Sequence, residues 1–122
     1  MTVQQILIVD DDIDFREGLQ MVLSDYVDSV LTADNDAQAV SVAASLRPDV
    51  VLIAPEAEGL ETARRLKARF PQMRVILLSL FDRYLRAALE IGADGYLLKG
   101  CSVEELLAAI RRPAGRVETM AA

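Results

Sequence analysis

Short, unbroken apolar runs recur along this chain at regular intervals, and each is followed by a stretch of helical periodicity. Ile6-Leu7-Ile8-Val9, Val50-Val51-Leu52-Ile53 and Val75-Ile76-Leu77-Leu78 have no polar residue to turn toward water. A strand written this way is covered on both faces, as in a parallel sheet with helices above and below. Ser29 to Ala33 reads as a more edge-like strand, and Gly95-Tyr96-Leu97-Leu98 completes a set of five. The segments between them carry apolar residues at helical spacing. They are Phe15, Leu19, Val22, Leu23 and Tyr26; Ala37, Val40 and Ala44; Leu60, Ala63, Leu66 and Phe70; Leu85, Ala88, Leu89 and Gly92; and Val103, Leu106, Leu107 and Ile110. Pro48 and Pro71 stop the second and third helices. Ser102 with Glu105 makes a capping box for the fifth. Strands alternating with helices imply right-handed crossovers and a single α/β domain.

Composition narrows the function. The 122 residues are 52% hydrophobic but only 5% aromatic, so the core is aliphatic. The formal net charge of -6 opposes contact with a phosphate backbone, which argues against nucleic-acid binding by this domain alone. The absence of His removes the commonest general base and metal ligand, and nothing in the chain makes a set of catalytic residues; an enzyme is not expected. Cys101 is the sole cysteine, which suits a reducing cytoplasm. The apolar start of the chain is too short for a signal sequence or membrane span. The domain is expected over 1–112, with 113–122 as a tail or the start of a linker.

In open α/β sheets the working groups gather at the carboxyl ends of the strands. Here those ends carry Asp10-Asp11-Asp12, Ala54, Ser79 and Lys99. Carboxylates suit a hard cation such as Mg²⁺, and a hydroxyl with a lysine suits phosphoryl oxygens.

These residues, in this order, resemble the receiver domains of two-component response regulators. ILIVDDD is similar to that family's first strand and acidic pair, here Asp10 and Asp11. VILLS and GADGYLLKG are similar to its fourth and fifth strands, which implies a switch hydroxyl at Ser79, a rotating aromatic at Tyr96 and the pocket lysine at Lys99. FREGL, PDVVLI and GLETARRLKARFP add to the likeness, most of all to members with a C-terminal helix-turn-helix. The resemblance implies a flavodoxin-like, doubly wound (βα)5 fold with sheet order 2-1-3-4-5.

One position departs from the pattern. The family places its phosphoacceptor Asp at the end of the third strand, and here Ala54 stands there. A methyl group is neither nucleophile nor ligand. The loops after Ala54 and after Ser79 both read as shortened. The expectation is therefore an atypical receiver that works by protein contact without phosphorylation. No cofactor is required, and Mg²⁺ would at most sit weakly on Asp10 and Asp11. The contact face implied by the family comprises the fourth helix, fifth strand and fifth helix, serving a protein partner or a homodimer, with Ala87, Ala88, Leu97 and Val103 nearby. Control of transcription would need a DNA-binding domain beyond residue 122.

The neighbouring residues have plainer readings too. Lys99 pairs with Asp10 or Asp11, Asp12 caps the first helix, and Ser79 caps the next loop. Glu56 is expected as a solvent-facing loop acid, against the alternative that it reaches into the pocket as a built-in substitute for a phosphoryl charge. Two rival functions stand beside the leading one. One is a receiver that phosphorylates a substitute such as Glu56, Asp12 or Ser79; the other is a small-molecule sensor using the vacated pocket.

Overall fold

The computed structural model describes residues 5–112 and the backbone of residues 119–120. Five strands, β1 (Gln5–Val9), β2 (Ser29–Ala33), β3 (Val50–Ile53), β4 (Arg74–Ser79) and β5 (Gly95–Leu98), alternate with five helices. These are α1 (Ile13–Leu23), α2 (Asp36–Leu46), α3 (Gly59–Arg69), α4 (Leu85–Ile91) and α5 (Val103–Ile110). All strand pairs are parallel, and the order is 2-1-3-4-5, as the resemblance implies. Each central strand is buried along its whole length, which is why its sequence shows no alternation.

The sheet divides the core in two. Leu7, Val51, Ile53, Val75 and Leu77 point toward α2, α3 and α4, while Ile6, Ile8, Leu52, Ile76 and Leu97 point toward α1 and α5. Residues one apart on a strand feed opposite layers, so a one-residue slip would exchange both cores at once.

Several helix faces differ from the sequence expectation. Val22 and Tyr26 lie outward, and Leu23 is the buried anchor of α1. In α2 the buried residues are Ala39 and Ala43, whereas Ala37 is exposed. Leu89 of α4 is 57% exposed, and Ala88 makes the core contact. Leu23 and Ala88 lie inward as expected, while the outermost members of these stripes face solvent; in α2 the small alanines at 39 and 43 carry the close helix–sheet approach and contribute little to an apolar pattern.

Thr119–Met120 forms a short sixth strand, β6, parallel to β5, so the sheet has one more strand than the five expected. The remainder of the expected tail or linker, 113–118 and 121–122, lies outside the described residues.

Candidate functional site

The carboxyl ends of β1, β3, β4 and β5 meet on one rim. Asp10, the first residue past β1, is buried there, and its carboxylate is fully engaged. Oδ2 accepts from Lys99 Nζ at 2.8 Å, and Oδ1 accepts from the Asp12 N–H at 3.0 Å. Arg16 Nη1 donates to the Asp10 carbonyl at 2.6 Å. Lys99 is held from two further sides. Its N–H donates to the Ser79 carbonyl, and its ammonium lies 4.3 Å from the Phe15 ring centre. A desolvated charge survives burial only when paired, and this pair is closed on itself. Asp11 is exposed, and Asp12 is the N-cap of α1, accepting from the Asp14 and Phe15 N–H groups.

The β3–α3 loop supplies the feature that sequence reasoning placed wrongly. Glu56 is not a solvent-facing acid. It is half-buried and turned into the pocket, where Oε2 accepts the Ser79 hydroxyl proton at 2.6 Å. Ser79 Oγ in turn accepts from the Phe81 N–H at 3.1 Å, so the hydroxyl also holds the following loop. Two backbone features aim Glu56. Ala57 adopts a left-handed conformation at φ 55°, which costs a non-glycine residue about 1–2 kcal/mol. Gly59 lets α3 start against the end of β3, since a Cβ there would lie 1.6 Å from the Ala54 carbonyl oxygen. Neither is visible as a spacing or a motif. The signal that existed was the acid itself, two residues past the strand-end Ala54.

Tyr96 is buried on β5, and its hydroxyl donates to the Phe81 carbonyl, so both Ser79 and Tyr96 grip the same loop. Cys101 is half-buried; burial foremost, with Glu105 beside it, pushes its thiol up and favours the neutral, unreactive form.

A cavity of about 140 Å³ lies over Ala54, ringed by Asp10, Asp11, Asp36, Glu56 and Glu58. It is small for an organic ligand, for which about 300–1,000 Å³ is usual. Toward a cation such as Mg²⁺ it offers Asp10, which already accepts from Lys99 and the Asp12 N–H, and the exposed Asp11, while Glu56 holds Ser79 and Ala54 offers a methyl. Among the described residues no three His, Cys, Asp or Glu side chains converge as a metal site.

The description of the response regulator receiver domain matches residues 6–111 of the chain. This protein belongs to that family. Over 88% of its length it is 35% identical to the transcriptional regulatory protein DegU of Brevibacillus brevis, covering 48% of that protein. Over 96% it is 36% identical to the response regulator MprA of Mycobacterium tuberculosis, covering 56% of it. The chain thus spans about half the length of the curated relatives it matches. Among solved structures it is similar to the BeF3-activated receiver domain of Klebsiella pneumoniae RstA. That pair shares 28% identity and a TM-score of 0.77 over 89% of this chain and 100% of the other. Its fold also matches Vibrio cholerae CheY4, with 24% identity and a TM-score of 0.82 over 92% and 99% of the two chains.

Beyond its rim this receiver has polar anchors that the sequence reading missed. Asp36 at the start of α2 accepts from Thr62 and Arg65 of α3, joining the two helices. Lys67 donates to Asp94 at 2.7 Å and to the Pro71 and Met73 carbonyls, tying α3 to the strand that follows it. Arg74 opens β4 fully buried and donates to the Ala109 and Ile110 carbonyls at the end of α5, while its Nε has no partner. Burial pushes its guanidinium down, with Asp94 opposing and Arg112 reinforcing. An arginine between Met73 and Val75, itself flanked by buried apolar residues, was the available clue. No helix of the described residues is long and apolar enough to cross a membrane.

Proposed function

We infer that this receiver signals without being phosphorylated, and that Glu56 supplies permanently the negative charge a phosphoryl group would bring. The observation that carries this is the 2.6 Å contact between Glu56 Oε2 and the Ser79 hydroxyl, beside a position 54 that bears only a methyl. The hydroxyl at the end of β4 has one proton to give, and Glu56 takes it. Through Ser79 and Tyr96 the same pocket holds Phe81, so the acid is connected to the loop leading into α4. Lys99 answers to Asp10 and needs no phosphoryl partner. The domain performs no catalytic step and needs no Mg²⁺.

Output then passes through the face formed by α4, β5 and α5, to a protein partner or a second copy. Leu89 and Val103 are exposed there, and Leu80 and Phe81 extend the apolar surface from the neighbouring loop. Ala88 and Leu97, expected at this face, are buried and unavailable. The DegU and MprA relatives are about twice as long as this chain, which supports transcription as the final output, through a DNA-binding domain joined to this one.

The test is incubation of the domain with Mg²⁺ and acetyl phosphate, followed by intact mass. The expected result is an unchanged mass. A stoichiometric phosphoryl adduct would overturn the reading, and mapping it to Glu56, Asp12 or Ser79 would establish a substitute acceptor.

A further inference from the structure

A second cavity lies away from the strand ends. It is an open groove of about 650 Å³ between α2 and α3, within the usual range for small-molecule sites. Its accessible floor is apolar, from Val40 with Ala37 and Ala68 over the buried Leu66, and Ser41 stands on one wall. The other wall is basic. Arg64, Arg65 and Arg69 line it, in a domain whose overall charge is -6.

These arginines differ in how firmly they are held. Arg64 pairs with Glu61, and Arg65 with Asp36 and Glu61, in pairs whose arginine side chains are more than half exposed. Such exposed pairs are weak and exchange readily for another anion. Arg69 has no ion-pair partner among the described residues. It stacks on Phe70 at 5.2 Å, with Arg47 on the same ring at 4.8 Å. Arg69 is therefore the lining arginine that no carboxylate among the described residues neutralises, and its guanidinium shares the Phe70 ring with Arg47 just outside the groove.

We propose that this groove binds a small amphipathic anion, its apolar body on Val40, Ala37 and Ala68 and its carboxylate or phosphate head among Arg65 and Arg69. Occupancy is felt at the acid pocket through Asp36, which borders both cavities. Asp36 Oδ2 holds Arg65 at 2.9 Å, and Oδ1 accepts the Thr62 hydroxyl, which also lies 3.1 Å from the Glu58 carbonyl. A head group that draws Arg65 away changes the partner of Asp36, and so the support of the loop carrying Glu56. A receiver that takes no phosphoryl group would gain a chemical input this way. The proposal stands apart from the Glu56 reading, because the phosphodonor test and a groove titration report on different atoms.

Sodium decanoate is a suitable probe, with sodium acetate as the tail-free control and decyltrimethylammonium as the charge-reversed one. Amide shifts of the ¹⁵N-labelled domain should move saturably with decanoate at Ala37, Val40, Ser41 and Ala68, and also at Glu58 and Gly59. Neither control should reproduce this. Arg69→Gln should weaken decanoate by about tenfold, a typical loss for one charge-assisted contact. Ser41→Glu, at an exposed position away from the core, should abolish binding while leaving the folded spectrum intact. Absence of saturable shifts, equal shifts with decyltrimethylammonium, or indifference to both variants would overturn the site. Groove shifts without movement at Glu58 and Gly59 would overturn the coupling. No decanoate binding, together with a concentration-dependent rise in particle mass that Ser41→Glu removes, would assign the groove to a second copy instead.

Discussion

Glu56 and Ala57 show how much of this site depends on single backbone and side-chain choices. Removing the Glu56 carboxylate leaves the buried Ser79 hydroxyl without its acceptor. Glu56→Ala should destabilise the domain by about 1.5–3 kcal/mol, the range for a hydrogen bond to a charged group, read as a lower midpoint in urea unfolding. Its Phe81 amide shift should move as well, because Ser79 Oγ binds that N–H. Ala57→Gly should act in the opposite direction. It relieves the left-handed strain at φ 55° and returns a smaller entropic cost, for a net gain of about 0.5 kcal/mol in the same assay. A gain in stability accompanied by a looser Glu56–Ser79 contact would mean that the strain serves to aim the acid.

At the scale of elements, strands were far more legible than the turns that join them. Burial on both faces writes itself into a strand as an unbroken apolar run, so β1, β3 and β4 appear in the sequence almost as they appear in the sheet. The positions of Asp10, Ser79 and Lys99 followed, because each sits at a strand end. Glu56 did not follow. Its direction comes from the left-handed Ala57 and from the approach of Gly59 to Ala54, and turn geometry leaves no periodicity to read. β6 escaped for a similar reason, being two residues long with Thr119 at its start. The close approach also predicts a mutational effect. In Gly59→Ala the new methyl would overlap the Ala54 carbonyl, so α3 must shift away from β3. We expect a loss of at least about 2 kcal/mol and disappearance of the Glu56–Ser79 contact, checked by thermal unfolding and by the Ser79 chemical shifts.

Across the whole molecule, Arg74 closes the fold by joining the start of β4 to the last turn of α5. The carbonyls at a helix end lack intrahelical donors, and a buried guanidinium supplies two. Arg74→Ala should therefore cost about 3–5 kcal/mol, because it takes the guanidinium donors from the Ala109 and Ile110 carbonyls, the first of which keeps the Arg112 N–H, and leaves a cavity between sheet and helix. Arg74→Met should cost less, since it refills the volume and removes the unpartnered Nε. Equal losses in chemical denaturation would mean that the two hydrogen bonds, and not the packing, hold α5 in place.

The charge count at the rim bears on any new acid placed there. Asp10, Asp11 and Glu56 border the cavity over the Ala54 methyl, and of these Asp10 alone holds the Lys99 ammonium. Restoring an aspartate there would add one more carboxylate to a space of about 140 Å³ already bordered by acids, where like charges oppose one another. Glu56 already holds the Ser79 hydroxyl, so an acid at position 54 and the inward acid would compete for one small space. Crowding, as much as the missing nucleophile, sets what this rim can hold.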